Sequence, residues 1–233
     1  TAMGEGALRF NTIGTRNTAY GSTACYKNTT GNYNTGMGRS ALEDNTSGSN
    51  NASFGYYALG NSTTASSNTA VGYESLLTTT TGTLNVGVGY HTLKLNTTGA
   101  NNVAIGQQAM RQNTIGERNT AVGAASMIAN TTGDFNVAVG RGALEANISA
   151  DSNTAIGYAS LGSNTTGIDN TSVGYNALTS TSTGSSNVGI GHGAMYSNTI
   201  GATNTAMGWG SLYTNTEGSN NVALGRVALY ANT

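Results

Sequence analysis

The sequence predicts an all-β fold, a parallel β-solenoid of fourteen coils with 17 residues to the coil. Three observations carry the prediction. Glycine recurs every 17 residues without insertion or deletion, at Gly4, Gly21, Gly38, Gly55, Gly72, Gly89, Gly106, Gly123, Gly140, Gly157, Gly174, Gly191, Gly208 and Gly225. Four residues before each of these from Gly21 onward stands an asparagine: Asn17, Asn34, Asn51, Asn68, Asn85, Asn102, Asn119, Asn136, Asn153, Asn170, Asn187, Asn204 and Asn221. The composition is also unlike an ordinary globular domain, with 34 glycines, no proline and 8% charged residues where about 25% is usual. A fixed period of this length is the signature of stacked repeats, and it outranks local propensity.

Each unit begins with a strand pattern. The residue before the glycine is always large and apolar, as in Val71, Ile105, Ile156, Met207 and Leu224, with Tyr20 and Phe54 as aromatic members. The residue before that is always Ala, Gly or Ser, so large and small alternate with the period of two that marks a strand. Four residues after the glycine comes Leu or Met, with Cys25 in the same register, which predicts a second short strand. The remaining Asn-Thr-Thr-Gly stretch has turn composition. One unit therefore reads as strand, bend, short strand and turn. Helix is disfavoured because no apolar spacing of 3.6 persists from unit to unit.

Stacked coils pair at about 4.8 Å, and equal positions form ladders. A column of Asn carries donors and acceptors enough to satisfy itself, and Thr columns such as Thr97, Thr114 and Thr131 do the same. The apolar content of a coil is thin, at about three residues, for the entropy of ordering 17. The strand also offers two apolar faces, one bulky and one small, while a coil needs one inward. The other face asks for a partner, so a homo-oligomer is expected, with three chains favoured by analogy with fibrous β shafts. The chain reads as a single repeat domain over 1–233 that starts and stops inside a unit, as a piece of a longer fibre would.

Charge and composition narrow the function classes. The net charge is −1 and the nine Lys and Arg are scattered, so no footprint for nucleic acid exists. No apolar run approaches the roughly 18 residues of a membrane span, and no membrane insertion is expected. Cys25 reads as a small buried hydrophobe, since one cysteine builds neither a disulfide framework nor a zinc site. The ten acidic residues are dispersed, and His91 and His192 read as solvated surface side chains without metal-ligand spacing. Gly189-Ile190-Gly191-His192-Gly193 is the repeat glycine with chance neighbours, lacking the strand and helix of a phosphate loop. No catalytic residue, metal or cofactor is expected, and the chain reads as a non-enzyme.

Candidate binding residues fall at the variable position just after the glycine, where a repeat scaffold displays function. It holds Tyr56, Tyr73, Tyr90, Tyr158, Tyr175, His192 and Trp209, a stripe of aromatic side chains. Such faces stack on sugar rings and dominate recognition surfaces, and equally they pack between chains or cover a strand edge. Tyr196, Tyr213 and Tyr230, five residues after their glycines, form a second column with the same two readings.

The units Asn101-Asn102-Val103-Ala104-Ile105-Gly106, Asn136-Val137-Ala138-Val139-Gly140 and Asn221-Val222-Ala223-Leu224-Gly225 resemble the Asn-Ser-Val-Ala-Ile-Gly unit of the YadA-like head repeats of trimeric autotransporter adhesins. Asn68-Thr69-Ala70-Val71-Gly72-Tyr73-Glu74-Ser75-Leu76 is similar to phage tail-fibre repeats. The resemblance covers every unit. It implies left-handed parallel β-rolls in a homotrimer and adhesion to a host surface, through a carbohydrate or protein receptor, outside the cell or on a virion tail. The invariant unit length and the lack of a stalk or membrane barrel favour a tail fibre or related secreted fibre. Two alternatives stand beside this expectation. One is an ice-binding solenoid, because twelve of fourteen units place Thr just after the usual Asn position of the turn stretch. The other is a purely structural extracellular filament.

Overall fold

The computed structural model describes residues 1–232. The chain divides into two compact units, 1–117 and 118–233, and each is a parallel β-solenoid. In the first unit the strands are β1 (Ala2–Met3), β2 (Thr18–Tyr20), β3 (Thr35–Met37), β4 (Ala52–Phe54), β5 (Thr69–Val71), β6 (Val86–Val88) and β7 (Val103–Ile105). The second holds β8 (Thr120–Val122), β9 (Val137–Val139), β10 (Thr154–Ile156), β11 (Thr171–Val173), β12 (Val188–Ile190), β13 (Thr205–Met207) and β14 (Val222–Leu224). Within each unit consecutive strands pair in parallel, every residue opposite the one 17 positions on, as Thr35 is opposite Ala52 and Ile156 opposite Val173. The β-solenoid and its coil length thus follow the sequence reading.

The expected second strand is absent, and overlapping tight turns take its place. Ala58 N–H donates to Gly55 O and Gly60 N–H to Tyr57 O, closing four-residue turns whose third residues are Tyr57 and Leu59, the equivalents of Ser40 and Leu42. Two side-chain-bearing positions in the segment take the left-handed conformation: Ser40 and Leu42 have φ of 59° and 53°. Positive φ at the third residue of a turn is the type II arrangement, and at a residue with a Cβ it costs about 1–2 kcal/mol. Burying the leucine there contributes about 1.5–3 kcal/mol, which offsets that cost. A strand cannot curl back within so few residues, whereas turns with positive φ can. The turns are still laddered: Cys25 N–H donates to Ala41 O and Leu42 N–H to Ala58 O in the following coil, at 2.9 and 3.1 Å.

The interior is lined by the leucine column, the Ala or Ser before it, and the small central residue of each strand. Leu42, Leu59, Leu76 and Leu93 are fully buried in the first unit, and Leu144, Leu161, Leu178 and Leu212 in the second. Ala70, Ala104, Ala138 and Ala155 face them from the strands. The small face of the strand is therefore the inner one. The limit is space: a Cβ added at Gly189 would stand 2.9 Å from Leu178 Cγ, and one at Gly36 2.7 Å from Cys25 Sγ. The bulky column turns outward, with Met37, Phe54, Ile105, Ile156 and Met207 exposed. Cys25 packs inside, as its register suggested, and burial pushes its thiol pKa up to about 12.

The asparagine column is buried from Asn17 to Asn204 and half-buried at Asn221. Its amides bind the backbone as much as one another. Asn34 Oδ1 accepts the backbone N–H of Asn51 at 3.0 Å and the Asn51 Nδ2 at 3.1 Å, while Asn34 Nδ2 donates to Gly48 O at 2.7 Å. A second buried column, read from sequence only as turn, runs through Asn28, Asn45, Asn96, Asn113, Asn130, Asn147, Asn164, Asn198 and Asn215. Asn45 Nδ2 donates to Asn28 Oδ1 at 2.7 Å and to Gly48 O at 3.0 Å, so one carbonyl serves both columns.

The second column is interrupted at Ser62, whose hydroxyl is too short to carry on the ladder. Asn45 Oδ1 and Ser62 Oγ are both buried without a hydrogen-bond partner. Ser62→Asn supplies the missing amide in a register where Asn fits elsewhere, and it is expected to stabilise the chain by about 1 kcal/mol. Urea unfolding measures this, and an unchanged or lowered midpoint contradicts the ladder as described.

Candidate functional site: the aromatic rows

The rows are positioned by the repeat glycine. Gly157 has φ of 131°, and a Cβ added there would lie 2.3 Å from Gly174 O in the next coil. Glycine alone bends the chain so closely against its neighbour. The residue that follows leaves the strand on the outer surface, and because every coil repeats the bend, these side chains fall into columns.

In the first unit Tyr56, Tyr73 and Tyr90 stack with ring centroids 5.2 and 5.5 Å apart and planes within 14° and 18°. In the second, Tyr158, Tyr175, His192 and Trp209 stack at 5.2, 5.1 and 6.0 Å, with planes within 11°, 15° and 18°. All seven stripe residues named from the sequence are thus brought together, in two rows. Arginines that the sequence reading passed over close both ends of the second row and the Tyr56 end of the first. The Arg39 guanidinium lies 5.7 Å from the Tyr56 ring, Arg141 lies 5.8 Å from Tyr158, and Arg226 lies 5.2 Å from Trp209. These are cation–π contacts, worth about 0.5–1 kcal/mol each at exposed sites.

The geometry changes what the rows can recognise. Ring faces look along the column at one another, so in the second row they are taken by neighbours or by a guanidinium. What remains for solvent is ring edges, phenol hydroxyls, and imidazole and indole nitrogens. Tyr158, Tyr175 and Trp209 remain 43%, 50% and 46% exposed. A ligand meets the edge of the stack rather than a flat face.

The second column is stacked still more regularly, Tyr196, Tyr213 and Tyr230 at 5.0 Å with planes within 4° and 6°. Tyr213 covers Gly193, where an added Cβ would lie 3.2 Å from the ring, and Tyr230 covers Gly210 in the same way. Where the earlier position is large the later one shrinks: Tyr57 leaves room only for Gly60.

One charged cluster escaped the sequence reading. His91, expected at the solvated surface, is 9% exposed, with the Tyr90 ring centroid 3.8 Å away. Its Nε2 is 3.0 Å from Glu74 Oε2, and Lys94 Nζ approaches the same oxygen at 2.6 Å. Glu74, His91 and Lys94 look unrelated along the chain, and only the 17-residue register shows that they meet across one coil boundary. Burial pushes the His91 pKa down, Lys94 and Arg111 add repulsion, and Glu74 opposes them without prevailing. Burial pushes the Glu74 carboxyl up, but the Lys94 ammonium and Tyr73 hydroxyl outweigh it and hold the group below the usual carboxylate range.

His192 is exposed in its row, as expected. Among the described residues no group of three His, Cys, Asp or Glu is placed to hold a metal, and no helix is long and apolar enough to cross a membrane.

The depressed His91 pKa makes stability depend on pH. Above the unfolded-state value near 6.5 imidazole is neutral in both states and its full contribution is present. As pH falls from there to the lower folded pKa, the unfolded chain binds a proton that the folded chain refuses, and stability is lost. His91→Gln is expected to flatten that part of a denaturation midpoint against pH curve, and an unaltered slope would assign it to other groups. No family model, no characterised protein and no solved structure matches the chain.

Proposed function

We propose that the chain is a structural and adhesive fibre segment that assembles with copies of itself, three chains being favoured, and attaches to a host or other surface outside the cell. The observation that carries this reading is the outward face of the strands. Its two columns contain no charged residue in any coil, pairing Thr, Val or, once, Ala52 with Val, Ile, Leu, Met or an aromatic residue. Apolar surface recurring at every coil exceeds the scattered exposed hydrophobes of a soluble monomer, and such surfaces mark interaction sites. A second copy suits this face: it carries the same columns at the same coil spacing, so each residue meets a like residue without charge mismatch. The three-chain number rests on the resemblance to adhesin and tail-fibre repeats.

Light scattering at micromolar concentration is expected to return a stable trimer, and Val139→Asp with Ile156→Asp to release monomers while the far-ultraviolet circular dichroism is kept. A wild-type chain that stays monomeric overturns the reading.

The ice-binding alternative loses ground on a specific observation. The threonine hydroxyls that suggested it are engaged within the stack: Thr29 Oγ1 donates to Thr46 O at 2.8 Å, and Thr97 Oγ1 to Thr114 O at 3.0 Å. Donors spent on the next coil are not free to order water. Thermal hysteresis is accordingly expected to be near zero at millimolar protein, and a sizeable value would revive that alternative.

A further inference from the structure

We infer that the row of Tyr158, Tyr175, His192 and Trp209, closed by Arg141 and Arg226, is a binding strip for an extended β-1,4-linked glycan lying along the column with one sugar to each coil. The inference deepens the adhesive reading and rests on it.

The rings recur at 5.2, 5.1 and 6.0 Å. An extended β-1,4-linked glycan advances by close to this distance per sugar, so a chain laid along the row places one sugar at each coil, with successive sugars turned over and like edges recurring at every second coil. A peptide strand advances ~3.3 Å per residue and a polyproline helix ~3.1 Å, so neither places one residue at each successive coil. Single-stranded nucleic acid stacks its bases on aromatic faces within a basic groove. Here the faces are occupied, and the cations sit only at the two ends.

Each coil presents a hydrogen-bonding group, two phenol hydroxyls, an imidazole and an indole N–H, on a rim roughly half exposed. Sugars offer a hydroxyl-rich edge of alternating donors and acceptors, which matches such a rim. The guanidinium ends hold the stack in order, and Arg141 Nη1 also donates to the Tyr158 hydroxyl at 3.2 Å.

A recess opens at the start of the row. A cavity of about 50 Å³ lies among Arg141, Gly142, Glu145, Tyr158 and the alanines Ala125 and Ala159. It is open because Gly142 carries no side chain; a Cβ there would lie 3.0 Å from Glu145 Oε2. Room for a small polar group, bordered by a carboxylate and a guanidinium, suits one exocyclic polar substituent of a sugar.

Trp209 is the chain's single tryptophan, so its fluorescence reports on this strip alone. Titration of the full chain with cellohexaose and with chitohexaose is expected to shift the emission saturably with at least one of them, the tighter one identifying the substituent at the recess. The corresponding disaccharide is expected to bind more weakly, and maltohexaose, whose α-1,4 linkages curl, to leave the emission unchanged. Tyr175→Ala is expected to weaken binding about tenfold, as loss of a central contact does, and Tyr175→Phe to weaken it less. No shift with either β-linked hexasaccharide at millimolar concentration, an equal shift with maltohexaose, or unchanged affinity in a folded Tyr175→Ala chain overturns the strip. A trimer that ignores both hexasaccharides overturns the strip and leaves the fibre reading standing. A monomer that binds them does the reverse.

Discussion

Everything in each unit depends on hydrogen bonds that one coil can complete only with the next. The strand pairs at a spacing of 17, and so do the turns, where Leu42 N–H reaches Ala58 O. At Asn51 the backbone N–H is bonded by the Asn34 side-chain oxygen in place of a carbonyl. A buried N–H left without an acceptor costs about 1–3 kcal/mol, and one extra residue in a coil would strand several. That explains a repeat with no insertion or deletion. It also explains why amides line so much of the interior: a coil this narrow cannot turn all its polar backbone outward, and Asn supplies both a donor and an acceptor at each missing link.

The narrow interior then dictates the surface. With leucine on one wall and the Asn amides on the other, the strand can place only Ala, Gly or Ser inside, and the larger residues of the same strand must stand outside. The leucine's burial is largely offset by its left-handed backbone, so the apolar core of a single coil contributes little net stability. Stability accumulates from coil-to-coil contacts, as in other stacked repeats, and any partner that covers the outer apolar column adds to it. The outer positions differ in kind from the inner ones. Residues there vary, yet they adjust to one another across coils, as Gly193 does under Tyr213 and Gly60 beside Tyr57.

Particular residues show how far the sequence could be read. The first asparagine column was legible because it is unbroken. The second was not, because Ser62, Thr79 and Thr181 interrupt it and Asn-Thr-Gly composition is what a solvated turn also shows. The Ala-Leu pair after each glycine has strand composition, and nothing in residue type announces that leucine would take a positive φ. Aromatic identity located the rows, but the direction of the ring planes follows from the stacking distance, and with it the loss of free faces. His91 looked solvated because its partners Glu74 and Lys94 are met through the neighbouring coil.

The sequence by itself determined the period, the parallel register and the membership of the glycine, first asparagine and aromatic columns, because stacking in register turns a one-dimensional repeat directly into three-dimensional neighbours. Only the tertiary structure decided which strand face is inside, that turns replace the second strand, and that the aromatic rows present edges closed by arginine. Those outcomes depend on how 17 residues close into a loop, on the space left within it and on the backbone angles that allow it, and a periodicity records none of these.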